Sequence, residues 1–285
     1  MKMTISAVVA ALGIAASIPA SAITVGGIDF GSIGATSHLE TSTLAETLVL
    51  GTTDKLQGYG LVSTVNGASS YCAGGGSNCS LYYYFHDYTV SAFNGSQVQF
   101  TGGVVDLYYS SSAAINLLTQ DSLANIATIT GGGMTKWVQL TGHTFADPIF
   151  ALNPGMGPTQ TLNGAGTLTG ASLSQTGAGL LDVNPGAFGL ASVQAYLNGN
   201  SIGDGLGGFA DIALTSSSNN NFLNPKDVAD GLATGCSNGT AIAGAWCLQG
   251  SSNIRGATVV PEPASLALLG LGLLGLGVAR RAKRS

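Results

Sequence analysis

"SQVQFTGGVVDLYYS", residues 96–110, holds two runs of opposite hydrophobic phase around a glycine pair. Val98 and Phe100 alternate with Gln97 and Gln99, and Val105, Leu107 and Tyr109 alternate with Asp106 and Tyr108. A period of two is the signature of half-buried strands, and Gly102-Gly103 between them reads as a hairpin turn. The same alternation recurs in "TKWVQLTGHTF", where Trp137 is out of phase with Val138 and Leu140, and again in "GFADIALTSSS" and "FGLASVQAYLNG". Helical spacing is expected only around residues 42–50 and 112–127. Short strands separated by Gly, Asn and Ser turns predict an all-β body, an antiparallel β-sandwich or jelly roll. The aromatic-poor stretch 151–180 is expected to be a flexible insertion into one domain, the alternative being thin strands of small residues.

Charge is scarce, at 8% of the 285 residues, and 43 glycines with Ser, Thr and Asn take its place. Between residues 23 and 260 only Lys55, Lys136, Lys226 and Arg255 oppose thirteen acidic residues, a net charge of −9. Such a surface repels phosphate backbones, so nucleic acid is excluded as a partner. Four cysteines form two sequence-local pairs, Cys72 with Cys79 and Cys236 with Cys247, each bracketing a turn-rich loop whose ends meet at little entropic cost. Disulfides of that connectivity are expected in an oxidising compartment, and the spacing does not suit zinc.

Both ends read as targeting segments. Residues 1–22 have Lys2 as a positive start, an apolar run from Ala7 to Ile18, and the small-x-small site Ala20-Ser21-Ala22. They predict a signal helix cleaved to leave Ile23 first. Residues 23–258 then form the secreted domain, and 259–285 a separate signal. In that tail, sixteen uncharged residues from Ala264 to Ala279 predict a transmembrane helix of roughly 25 Å. Arg280, Arg281, Lys283 and Arg284 stop transfer on the cytoplasmic side. Pro261-Glu262-Pro263 then emerges at the outer face, where two prolines hold an extended peptide suited to a protease cleft. Gly270 to Gly275 spells a dinucleotide-binding pattern, but it opens no βαβ unit and reads instead as close helix packing.

The Pro-Glu-Pro triplet, the Leu/Gly-rich span and the Arg-rich end together resemble the PEP-CTERM sorting signal of Gram-negative bacteria. The resemblance implies recognition by exosortase, a membrane-embedded transpeptidase-like protease, and transfer of the body to the exterior. Gly208-Phe209-Ala210-Asp211 resembles a segment of the flocculation-associated members of that group. Signal peptidase, exosortase, a transient stay in the inner membrane and contact with exopolysaccharide are the partners implied.

No catalytic constellation is expected from the body. His38, His86 and His143 are the three histidines, and in a regular strand His86 and Asp87 would face opposite sides. The acids are scattered singly, which suits Asx turns better than the facing carboxylates of a glycosidase. Asp204 and Asp211 match no calcium-loop spacing, so no metal or cofactor is expected. The triplets at Asn78, Asn94 and Asn238 read as turn chemistry. Alternation puts Tyr82, Tyr84 and His86 on one face and Tyr83, Phe85 and Asp87 on the other; one face is expected to be core, and plain packing is favoured over stacking against sugar rings. The leading expectation is a non-enzymatic exported surface or matrix protein supporting biofilm or floc formation. The alternative is a secreted hydrolase of matrix polysaccharide.

Overall fold

In the computed structural model, which describes residues 22–32, 37–146, 160–186 and 188–256, the first hairpin to consider turns elsewhere than expected. Strand β5 (Ser80–Phe93) pairs with β6 (Gln97–Ser110), and the chain reverses at Asn94-Gly95-Ser96. The Asn94 carboxamide oxygen accepts from the backbone N–H of Ser96 and Gln97 at 3.1 and 2.8 Å, and Gly95 takes φ +86°. Gly102 and Gly103 lie inside β6, at φ +73° and +95°. The residue opposite, Asp87, also has positive φ, +60°. Both strands therefore change phase at one level and keep their mutual register, with Phe85 and Tyr88, two positions of opposite parity, both turned inward. Against the previous strand, β4 (Lys55–Val65), the extra β5 residue shows as a bulge between Leu56 and Gly58. Glycine is required at 103 because the Tyr88 ring lies on its Cα; a Cβ there would sit 2.1 Å from Tyr88 Cε1.

β3 (Ser37–Thr47), β4, β5 and β6 follow one another antiparallel. The next position is shared end to end by β7 (Thr135–His143) and β8 (Leu162–Thr167), which pair with opposite halves of β6. Both also pair with β9 (Ser174–Val183); after a separate short hairpin of β10 (Ile202–Gly203) and β11 (Phe209–Ala210), the ring continues from β9 to β12 (Ile212–Asn219), then β13 (Trp246–Gly256). β13 closes the ring on β3, Gly256 opposite Ser37. The expected sandwich is thus an eight-position, up-and-down barrel, a closure that leaves no sheet edge unpaired. The stretch expected to be an insertion supplies β8 and β9, whose glycines and threonines are barrel wall; residues 147–159 lie outside the described part.

One barrel end is plugged by the hairpin of β1 (Ala22–Val25) and β2 (Ile28–Ser32). Ile28 and Phe30 are fully buried, each contributing about 2 kcal/mol of hydrophobic transfer. Trp137 donates its indole N–H to the Gly26 carbonyl at 3.0 Å, and Phe30 packs 4.7 Å from the Tyr196 ring. Tyr196 belongs to helix α2 (Ala191–Leu197), in the segment whose alternation predicted a strand. Val193 and Leu197, four apart, are the residues it buries, a helical face that also fits alternation over so short a run. Residues 42–50, where helical spacing was expected, are instead the end of β3 and its turn. The Cys72–Cys79 bridge lies at the plugged end, and Cys236–Cys247 fastens the covering of the opposite end, where Leu48, Leu173 and Leu248 pack. Both connectivities are those expected.

Outside the wall, helix α1 (Ser122–Thr130) covers Tyr59, Tyr82 and Tyr108 with Ile129. Asp121 caps it, accepting from Ala124 N–H at 2.9 Å. The buried Asp227, in the short helix α3 (Pro225–Ala229), accepts from both the backbone N–H and the hydroxyl of Ser122 at 2.6 Å. Substituting Asp227→Ala strands those two buried donors, and about 2 kcal/mol of stability is expected to be lost in urea unfolding. Asp227→Asn, which keeps an acceptor, should lose less.

Candidate functional site

The barrel interior is filled unevenly. On β5 and β6 it carries Tyr83, Phe85, Tyr88 and Phe100, whereas β8, β9, β12 and β13 turn Gly164, Gly177, Ser216 and Ser252 toward them. Rings cannot reach across to side chains that are missing. A cavity of about 60 Å³, measured as the space open to the centre of a water-sized sphere, remains in the half of the barrel away from the plug.

Glu46 stands in its wall. It is inward-facing on β3 and 5% exposed, and β12 and β9, two and three strands along, bring Ser218 and Gln175 to it. The Glu46 carboxylate accepts from Gln175 Nε2 at 3.1 Å and Ser218 Oγ at 3.2 Å, and Gln175 also donates to Ser218 Oγ at 2.9 Å. Burial raises the Glu46 pKa to about 7, and the two hydrogen bonds only partly oppose that rise. Near neutrality the group is therefore shared between a carboxylate and a neutral, hydrogen-donating acid. Burial likewise pushes the Tyr83 and Tyr88 hydroxyls far above the ordinary tyrosine range. The Tyr88 hydroxyl is buried without a hydrogen-bond partner among the described residues.

Two histidine clusters lie on the outer wall. His86 Nδ1 meets Asp87 at 2.7 Å and Nε2 meets Asp106 at 3.4 Å. The expectation that His86 and Asp87 face apart fails because the left-handed Asp87 bulge turns both outward. Asp106, then Asp87, raise the imidazole pKa against its partial burial. His143 is held by Asp182 at 2.7 Å and Asp204 at 3.2 Å. Burial lowers its pKa, but the two carboxylates together outweigh it and the net shift is upward. In both clusters the two ring nitrogens already face carboxylates, so neither ring is left to take a proton from a nucleophile. His38 differs: burial and the facing Arg255 guanidinium, which donates to its Nε2 at 3.1 Å, lower its pKa.

Asp204 and Asp211 are turn anchors. Asp204 Oδ1 accepts from Leu206 and Gly208 N–H at 2.7 and 2.9 Å, and Asp211 accepts from Asn200 and Val183 N–H, both at 2.8 Å. Among the described residues no group of three His, Cys, Asp or Glu side chains is placed to hold a metal ion. The aromatic stretch shows no tyrosine face open for sugar stacking. Tyr83 and Phe85 line the barrel, Tyr82 lies under α1, and Tyr84 is half-buried against His86 at 4.7 Å. Sequence reasoning passed over Glu46 because its segment was read for helical spacing. The available signal was a glutamate alternating with Leu44 and Leu48 in "TLAETLVL".

The sorting residues Pro261, Glu262 and Pro263, the basic Arg280, Arg281, Lys283 and Arg284, and Ala20 of the signal site fall outside the described residues. So do the expected signal and transmembrane helices. Among the described residues no helix is long and apolar enough to cross a membrane. Ala22 is the first residue of β1, so cleavage after it leaves the rest of that strand in the mature chain. A protein-family profile described as the PEP-CTERM protein-sorting motif matches residues 259–284. No curated protein and no solved structure matches the chain. The motif marks an exported protein that is handled by exosortase.

Proposed function

We propose that this chain is a non-enzymatic barrel protein of the cell surface or extracellular matrix that supports exopolysaccharide-associated biofilm or floc formation. It is exported by its signal peptide and released from the inner membrane by trimming at its tail. The observation that carries the reading is the spacing of fold and signal. The last described barrel strand ends at Gly256 and the sorting motif begins at Val259, so a cut at the Pro-Glu-Pro collar falls beyond every described strand of the barrel. Two local disulfides suit the oxidising exterior. The outward side of β12 and β13 carries Thr215, Ser217, Ser251 and Asn253, with the Ser217 and Ser251 hydroxyls 3.1 Å apart. That neutral, hydroxyl-bearing face can exchange hydrogen bonds with a polysaccharide without ordering counter-charges.

The test replaces the host's copy with Pro261→Ala/Glu262→Ala/Pro263→Ala. The altered chain is expected to stay in the membrane fraction at its untrimmed mass, while the unaltered one appears outside the cell about 2.5 kDa lighter, on the order of 110 Da for each of some two dozen tail residues. Flocs should weaken as they do when the whole protein is absent. Release of the triple variant at normal mass would refute the sorting role. Normal flocs with no protein present would refute the matrix role.

A further inference from the structure

We propose that the cavity beside Glu46 is a binding site for a small, neutral, mostly apolar molecule of about six non-hydrogen atoms. This does not depend on any part in floc formation. Two observations carry it. The void is built into the wall, since four inward positions on four successive strand segments are Gly or Ser opposite a row of aromatic rings. Packed interiors rarely keep such space, because a lining atom facing a void loses its dispersion partners. The rest of the lining is aliphatic or aromatic, Leu56, Val98, Val105, Leu162 and Ile254 among it, so the space suits an apolar guest better than water.

Size and charge define the guest. At about 10–15 Å³ of such space per water, 60 Å³ holds some four to six waters, or one short alkyl chain or small ring. No Lys, Arg or His lines the cavity, so a carboxylate or phosphate would be buried without a counter-charge. An ammonium would require Glu46 ionised, and in so apolar a space an ion pair loses in desolvation what it gains in attraction. A neutral group avoids both costs. Glu46, Gln175 and Ser218 hold one another and form the polar floor.

The test titrates the exported protein calorimetrically with straight-chain alcohols from ethanol to decan-1-ol. Affinity is expected to rise about fourfold per methylene while the chain fits. It should then stop rising beyond pentanol or hexanol, because a cavity of this size has a length limit and a surface patch has none. Ser252→Leu fills the cavity and should weaken hexan-1-ol at least tenfold, with Ser216→Leu replacing it should the first variant fail to fold. No saturable binding of any alcohol would mean that the cavity holds water alone and would overturn the proposal. Affinity rising steadily to decanol would overturn it too, as would unchanged binding in a folded, cavity-filled variant.

Discussion

Glu46→Gln is expected to stabilise the protein at pH 8 by about 3 kcal/mol relative to its effect at pH 5. The folded state holds this carboxyl at a pKa of about 7 against an ordinary 4.5. At 1.36 kcal/mol per pKa unit, that difference is worth about 3 kcal/mol. Because the folded-state value is the higher one, the folded chain binds more protons than the unfolded chain between the two values, and stability falls as pH rises. The contribution is fully present below pH 4.5 and is lost as pH climbs through 7. Glutamine occupies the same space, still accepts from Ser218 and Gln175, and has no charge to desolvate. Urea unfolding of both proteins at pH 5, 6.5 and 8 checks this. His86 and His143, whose raised values act in the same direction, are common to both proteins and cancel in the difference. Parallel stability profiles would show that water or a counter-ion reaches Glu46 in the folded protein.

Gly103→Ala is expected to cost about 2–4 kcal/mol, and Gly95→Ala only about 1 kcal/mol. Both residues have positive φ, +95° and +86°, so both substitutions carry the left-handed penalty of about 1 kcal/mol. At Gly95 a Cβ meets open space. At Gly103 it meets three atoms of the Tyr88 ring within 2.4 Å, and that ring is locked between Phe85 and Phe100 at 6.3 Å centroid separations. Overpacking in such a place adds about 1–3 kcal/mol beyond the backbone term. Guanidinium unfolding of the two variants separates the contributions. Equal losses would show that the Tyr88 ring swings away freely.

The same glycine pair shows where local reading stops. Gly102-Gly103 between alternating runs has the composition of a hairpin turn, and it is the middle of a strand. What sets its role is Tyr88 on the neighbouring strand, fourteen residues earlier in the chain, together with the bulge at Asp87. Asn94-Gly95, the true turn, carried its own signal, because an Asn side chain can bond the backbone of the residues that follow it. His86 and Asp87 were separated by strand parity on paper and joined by the bulge in space. Short alternation also misassigned α2, where two buried positions four apart, Val193 and Leu197, satisfied two periods at once.

Strand content, the two local disulfides, the scarcity of charge and the sorting tail were determined by the sequence alone, because each rests on composition or on a short continuous stretch of chain and none needs a contact between distant segments. Closure was decided only in three dimensions. A sandwich and a barrel share the same inward-outward alternation, and they differ in whether β13 finds β3, a pairing of Ser37 with Gly256 across nearly the whole described chain. The cavity and the raised carboxyl follow from that closure, since a glutamate, a glutamine and a serine from three distant strands become neighbours only when the sheet meets its own beginning.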